Sequence, residues 1–330
     1  MRLDGLTIFV TGGTGSFGTA YIRHLLTECA PKKVIVYSRD ELKQFEQENQ
    51  FNDSRVEYII GDIRNRRRLT SAMEGADIVI HAAAMKQVVA SERNPTECIE
   101  TNILGSENVV EAALKNRVRK VVSLSTDKAV NPVNLYGATK LCADKLIVNA
   151  NRRSRETSFS VVRYGNVVGS RGSVVPFFRK LRQTGRIPVT DAEMTRFWIT
   201  LEQAVAFVSK CLQIMRGAEV FIAKIPSMSI IDLARALAPE CKIEIIGIRP
   251  GEKLHEVMVP NEEARRTLEF DDYFVITPDD GEGVDVEAWL YEGRQGKLVG
   301  RDFRYASDKN KDWIGIDGLA RLMGSESQTC

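Results

Sequence analysis

Leu6-Thr7-Ile8-Phe9-Val10 runs directly into Thr11-Gly12-Gly13-Thr14-Gly15-Ser16-Phe17-Gly18. A β-branched apolar run ends in glycines at 12, 15 and 18, and a helical pattern follows over residues 17–28. This arrangement meets three demands of a phosphate loop: a tight turn, close approach of backbone to a pyrophosphate, and a helix packed near its strand. The helix start then offers N–H donors and a positive dipole end to phosphate oxygens. Because the glycines follow a strand and open a helix, Gly12, Thr14, Gly15, Ser16, Phe17 and Gly18 are candidate dinucleotide contacts.

Working outward, further apolar runs lie at 33–37, 56–60, 77–80, 119–124 and 158–163. They lack strict alternation, as expected of parallel strands buried on both faces. Helical patterns at 66–73, 102–116 and 135–151 separate them. The alternation predicts an α/β fold with a Rossmann-like, doubly wound parallel sheet over residues 1–165. A helix over 201–215 and a strand over 219–222 are expected to rejoin it, so that 200–225 counts with the first domain. Beyond 165, Gly169, Gly172, Pro176, Gly185 and Pro188 break the rhythm. Residues 166–330 are therefore expected to form a smaller substrate-binding lobe and an irregular C-terminal extension. In that extension Trp289, Tyr291, Phe303 and Trp313 would pack on the body or a neighbour, and 325–330 would fray.

The 330 residues carry 46 basic and 44 acidic side chains, a formal charge of +2. That length suggests about two domains. At 43% hydrophobic and 27% charged, the composition excludes a disordered chain, a collagen-like fibre and a disulfide miniprotein. No broad basic field is available for phosphate backbones, so no nucleic-acid partner is expected. Cysteines at 29, 98, 142, 211, 241 and 330 make no CxxC pair, and the three histidines lie far apart. Free thiols in a reducing cytoplasm and no metal site are the expectation. No apolar run reaches the ~20 residues of a membrane span, and a strand begins where a signal peptide would lie.

The end of the second strand selects the nucleotide. Tyr37-Ser38-Arg39-Asp40 is followed by Lys43. Ser38 can donate to a 2′-phosphate, and Arg39 can stack on adenine and pair with that phosphate, which favours NADP over NAD. Asp40 can instead cap the next helix. Asp62 and Ile63 suit the adenine edge, and the Arg66–68 run reads as a solvated helix face.

Ser125-Thr126-Asp127-Lys128 ends a later strand, and Tyr136-Gly137-Ala138-Thr139-Lys140 follows. Tyr136 and Lys140 are four apart and share a helix face. An ammonium beside a phenol stabilises phenolate, which would let Tyr136 act as a base.

With His81-Ala82-Ala83-Ala84-Met85-Lys86, residues 190–200 (TDAEMTRFWIT) and Arg249-Pro250-Gly251-Glu252-Lys253, these motifs resemble the extended short-chain dehydrogenase/reductase family. Within it the chain is most similar to the inverting UDP-N-acetylglucosamine 4,6-dehydratases, which make the first intermediate toward pseudaminic acid and related acetamido sugars. The resemblance spans residues 1 to about 260 and carries no motif beyond about 280. Gln87 stands where many members have His. Thr126-Asp127-Lys128 stands where retaining relatives look like Thr-Asp-Glu.

The resemblance implies a mechanism. Tyr136 takes the 4-hydroxyl proton while hydride passes from carbon 4 to NADP. Lys128 removes the proton from carbon 5, and Asp127 protonates the leaving 6-hydroxyl. Hydride returns to carbon 6, and carbon 5 is reprotonated from the opposite face. It further implies cofactor contacts from Ala82, Lys86, Tyr136, Lys140 and Val167. Substrate contacts would come from Lys86, Thr101, Asn166, Arg196, Arg249 and Glu252. Arg196 and Arg249 would meet the diphosphate, and Glu252 a ribose hydroxyl. The assembly implied is a homo-oligomer, a dimer or hexamer. Two other readings share the fold: an NDP-sugar epimerase and a non-catalytic NADP-binding protein. Asp127-Lys128 argues against the first, since 4-epimerisation needs no base at carbon 5. Intact Thr126, Tyr136 and Lys140 argue against the second.

Overall fold

All five residues of strand β1 (Thr7–Thr11) are buried, as a central parallel strand requires. In the computed structural model it pairs with β2 (Lys33–Ser38) on one side and with β4 (Ile78–His81) on the other. The strands β3 (Val56–Ile60), β5 (Lys120–Thr126) and β6 (Ser158–Tyr164) complete a parallel order β3-β2-β1-β4-β5-β6. The fold is thus the Rossmann-like α/β arrangement expected from the strand–helix rhythm. The structure describes residues 3–170, 173–279, 281, 284–316 and 318–319. Gly172, Cys330 and the expected fraying of 325–330 lie outside them.

Helix starts follow the local chemistry. Asp40, Asn65 and Asn134 cap the helices Glu41–Phe51, Arg66–Ala72 and Leu135–Ala150 through side-chain oxygens. Thr200 and Gln203 form a reciprocal capping box on Leu201–Ile214. That helix and the strand Val220–Ala223, parallel to β6, return to the main sheet as the spacing predicts.

Two segments differ from expectation. The stretch read as one helix over 102–116 begins as the helix Pro95–Ile99, passes through a π-turn at Glu100–Leu104 and continues as Gly105–Lys115. The wider turn buries Thr101 and Asn102, a local feature that a 3.6-residue period cannot register. The residues after 266 are also less irregular than expected. Tyr273–Ile276, Thr267–Glu269 and Lys297–Leu298 extend the sheet antiparallel, taking it to ten strands. Strands of two to four residues are too short to show a period. Their aromatics supply the adhesion: Tyr291 packs edge-on to Phe221 and Phe270, and Phe303 lies 5.2 Å from Phe274.

A second apolar cluster, including Val175, Phe178, Ile187, Trp198, Met228 and Leu233, sits under short strands at Thr195–Ile199, Ser227–Ser229 and Arg186–Val189. Among the described residues, no helix is long and apolar enough to cross a membrane.

Candidate active site

The carboxyl ends of the parallel strands open on a cleft of about 580 Å³, at the point where strand order reverses between β1 and β4. Gly12 sits at φ +66°, and a Cβ there would lie 2.8 Å from the Ala83 amide nitrogen. A Cβ at Gly18 would lie 2.5 Å from Gly13 Cα. No side chain fits at either position. No side chain caps the helix Ser16–Glu28 at Gly15, so its N-terminus is presented to the cleft. Gly12, Thr14, Gly15, Ser16, Phe17 and Gly18 all line it. The loop therefore fits a dinucleotide pyrophosphate.

Toward β2 and β3 the cleft is lined by Ser38, Arg39, Lys43, Asp62 and Ile63. Two glutamines that sequence reasoning missed hold this end together. Gln44 Nε2 donates to Ser38 Oγ at 3.0 Å, which leaves that hydroxyl its own hydrogen to donate. Gln47 Nε2 donates to Gly13 O at 3.1 Å and Thr19 Oγ1 at 2.7 Å. Asp40 does cap its helix, and Lys43 Nζ pairs with it at 2.5 Å. Arg39 lies 3.5 Å from Asp62, a carboxylate that Arg64 also holds at 2.7 Å. Asp62 thus carries two guanidinium partners, and Arg39 keeps an exposed face toward the cleft.

Ala82, Lys86 and Thr101 line the middle. Thr101 is buried in the cleft wall, and its hydroxyl has no hydrogen-bond partner. Gln87 is also on the lining.

Toward β5 and β6 stand Thr126, Lys128, Tyr136, Lys140, Asn166 and Val167. Thr126 ends β5 in extended conformation, and the chain turns immediately through a 3₁₀ turn, Asp127–Ala129. Thr126 Oγ1 and Lys128 Nζ both donate to Asp127 Oδ1, each at 2.9 Å. Lys128 Nζ also donates to Asn166 Oδ1 at 3.1 Å. Asp127 is fully buried, and its Oδ2 has no partner. Burial raises its carboxyl above the ordinary range, while Lys128 pulls it back. The Lys128 ammonium is held up by Asp127 and Glu256 against the opposing effect of burial.

Tyr136 is pushed up to about 12 by burial; the Lys128 charge and Thr126 act the other way. The cation acting on the phenol here is therefore Lys128. Lys140 instead donates to the Leu124 carbonyl at 2.7 Å, and burial lowers its pKa. The expected pairing of Lys140 with the phenol is not formed in this arrangement.

Three expected substrate residues lie elsewhere. Arg196 is buried, with its guanidinium donating to the carbonyls of Thr195, Lys253 and Leu254. Those bonds consume the fork that a diphosphate would need, so Arg196 is a brace for the segment 253–256. Arg249 and Glu252 pair with each other at 2.6 Å on a loop outside the cleft lining, and Arg249 is exposed. Their mutual ion pair satisfies both, and neither faces the cleft.

Glu256 was not singled out from sequence. It is buried, 3.6 Å from Lys128 Nζ and 3.3 Å from Lys253 Nζ. Asp144, one turn after Lys140, is likewise buried and accepts from Ser125 Oγ at 2.6 Å. Its spacing from Lys140 was the available signal.

The sequence pattern of the family described as "Polysaccharide biosynthesis protein" matches residues 8–278. A Campylobacter jejuni protein named UDP-N-acetylglucosamine 4,6-dehydratase (inverting) is 53% identical, covering 97% of this chain and 98% of its own. A Rickettsia canadensis protein named UDP-glucose 4-epimerase is 41% identical, covering 88% and 87% respectively. The crystal structure of Pen from Bacillus thuringiensis superposes with a TM-score of 0.90 at 40% identity, covering 99% of each chain.

Proposed function

The chain belongs to the polysaccharide biosynthesis protein family, among the extended short-chain dehydrogenase/reductases, and from that premise we propose that it is an inverting UDP-N-acetylglucosamine 4,6-dehydratase. The observation that carries the reading is Lys128, half-buried on the cleft wall with Tyr136, bonded at 2.9 Å to Asp127, which is fully buried behind the lining. The reading gives NADP as the cofactor, on Ser38, Arg39 and Lys43. Bound NADP would supply the hydride acceptor for carbon 4 and the donor for carbon 6.

The residues supply the proton chemistry. Tyr136 accepts the 4-hydroxyl proton as carbon 4 is oxidised. Its high affinity for a proton makes it a strong base once ionised, and the Lys128 charge favours that ionised form. The 4-keto group then acidifies carbon 5. Elimination of water needs a base for that carbon and an acid for the 6-oxygen. The observed ammonium–carboxylate pair and an amine–carboxyl pair hold the same number of protons. They differ by one proton moved along the 2.9 Å bond from Lys128 Nζ to Asp127 Oδ1. In the second form Lys128 is the base and Asp127 the acid. Burial acts toward this neutral form, while Asp127 and Glu256 hold the proton on Lys128 in the observed one. Asn166 holds the amine toward the cleft.

A 4-epimerase is the second reading, favoured by the 41% identity to the Rickettsia protein of that name. Epimerisation uses Tyr136 and the cofactor and has no use for Asp127 and Lys128. Incubation with UDP-N-acetylglucosamine followed by mass spectrometry separates the two. Loss of one water supports the dehydratase; an unchanged mass with a new sugar configuration supports the epimerase.

A further inference from the structure

Glu256 is 2% exposed and lies among three cations. Lys128 Nζ is 3.6 Å from Oε1, Arg196 Nε is 3.9 Å from the same oxygen, and Lys253 Nζ is 3.3 Å from Oε2. On the other side of Lys128 stands Asp127. We infer that Glu256 is a positioning residue for the Asp127–Lys128 pair: a fixed negative charge, brought from the C-terminal part of the chain, that sets the pH range in which the pair holds its one shared proton. This inference rests on the acid–base role given to that pair above.

With one proton more, Lys128 is an ammonium and Asp127 a carboxylic acid, and no base remains. With one proton fewer, no acid remains. Turnover is confined between these two macroscopic protonations, which belong to the pair rather than to either residue. A carboxylate 3.6 Å from the ammonium, out of water, opposes proton loss from both members. Its charge acts on Lys128 and on Asp127 in the same upward direction. Glu256 moves both limits together to higher pH.

Glu256 can serve as a fixed charge because it stays ionised. Burial would raise its carboxyl, but Lys128, Arg196 and Lys253 more than offset this and hold it below the ordinary range. Among the described residues, the charged and titratable groups around the cluster include these three cations, Asp127 and, beyond the pair, Tyr136 and Asp144. The position of Glu256 is set by its backbone. Its amide donates to Ser307 Oγ at 2.9 Å, and the Ser307 amide donates to its carbonyl at 2.8 Å. Lys253 Nζ reaches Val130 O at 2.5 Å, next to the catalytic turn.

The test is the pH dependence of kcat and KM for UDP-N-acetylglucosamine on the purified holoenzyme. Glu256→Gln leaves Arg196 and Lys253 uncompensated, so both limbs of the bell should move to lower pH by about one unit, a roughly tenfold loss of kcat on the alkaline side. KM should stay unchanged. Lys253→Met should move both limbs the opposite way, and Glu256→Gln with Lys253→Met should return the bell toward the parent. A packing role would change the height of the bell and not its position. A Glu256→Gln bell that superimposes on the parent, whatever its height, overturns the inference. Should that variant not fold, an unmoved bell in Lys253→Met does the same. Full turnover by Lys128→Ala would instead remove the underlying reading of the pair, an outcome distinct from an unmoved bell.

Discussion

Thr11 Oγ1 lies 2.7 Å from His81 Nδ1, and this contact fixes the direction of a buried chain of hydrogen bonds across the sheet. The Thr11 hydroxyl already accepts the Ala82 and Ala83 amides at 3.2 Å each, so its hydrogen goes to Nδ1. The imidazole proton is then on Nε2, facing Ser106 Oγ at 3.1 Å. Ser106 in turn donates to the Asn102 carbonyl at 2.6 Å. The chain runs from the phosphate-loop strand to the π-turn.

That chain has no place for a second imidazole proton, and burial, aided by the Lys140 charge, pushes His81 down from an ordinary 6.5 to about 3. The unfolded state therefore takes up a proton between these two values that the folded state refuses. Stability should be full above pH 6.5 and fall as pH drops through that window, with this proton adding ~1.4 kcal/mol per pH unit to the slope. Urea unfolding from pH 6.5 to 4 should be less pH-dependent in His81→Gln than in the parent. Equal slopes would refute the assignment.

Lys128→Ala should bind cofactor and sugar nucleotide yet lose turnover by roughly 10²–10⁴-fold, the range for a positioned proton-transfer group. Tyr136→Phe should fail one step earlier. Stopped-flow absorbance distinguishes them: reduced cofactor should appear transiently in the first variant and not in the second. In deuterated water the parent's product should carry deuterium at carbon 5. A product that keeps the D-xylo configuration there would exclude inversion.

Arg39 keeps its face to the cleft while sharing Asp62 with Arg64. Arg39→Asp should remove a charge-assisted contact worth roughly 1.5–3 kcal/mol to a 2′-phosphate and shift preference from NADP to NAD. Chromatography of the nucleotide released on denaturation reads this directly.

Arg196→Met should act on stability rather than on diphosphate binding. It removes a buried cation from beside Glu256 and leaves the Thr195, Lys253 and Leu254 carbonyls short of a donor. A loss of about 3 kcal/mol is expected from denaturant titration. A raised KM with unchanged stability would restore the diphosphate role.

Gly137→Ala should separate the catalytic helix from its partner turn. A Cβ at 137 would stand 2.2 Å from the Lys128 carbonyl oxygen, and backbone cannot yield as a flexible side chain would. Both kcat and the thermal midpoint should fall, measured by turnover and by circular dichroism.

Much of this was legible in the sequence because it is local. The glycines at 12, 15 and 18, the strand ends at Ser38 and Thr126, and the Tyr136–Lys140 spacing each sit within a few residues of the element that positions them. What escaped was set by distance along the chain. Glu256 meets Lys128 across more than a hundred residues, and nothing near it in sequence marks it as buried. Arg196 looked like an anion ligand because a guanidinium suits phosphate; only the fold shows that the carbonyls of 253 and 254 occupy it. The π-turn at Glu100–Leu104 breaks the helical period at the place where period was the only guide.

The reciprocal bonds between Glu256 and Ser307 have a consequence for biosynthesis. A ribosome that has reached residue 260 has delivered every group that lines the cleft. The strand Tyr305–Ala306, which pairs with Val257–Val259, and the adjoining Ser307 are still untranslated. All the charges around Asp127 and Lys128 are then in place, but the two bonds that fix the Glu256 backbone wait for Ser307, so a chain stalled or clipped before residue 305 should hold Glu256 less firmly.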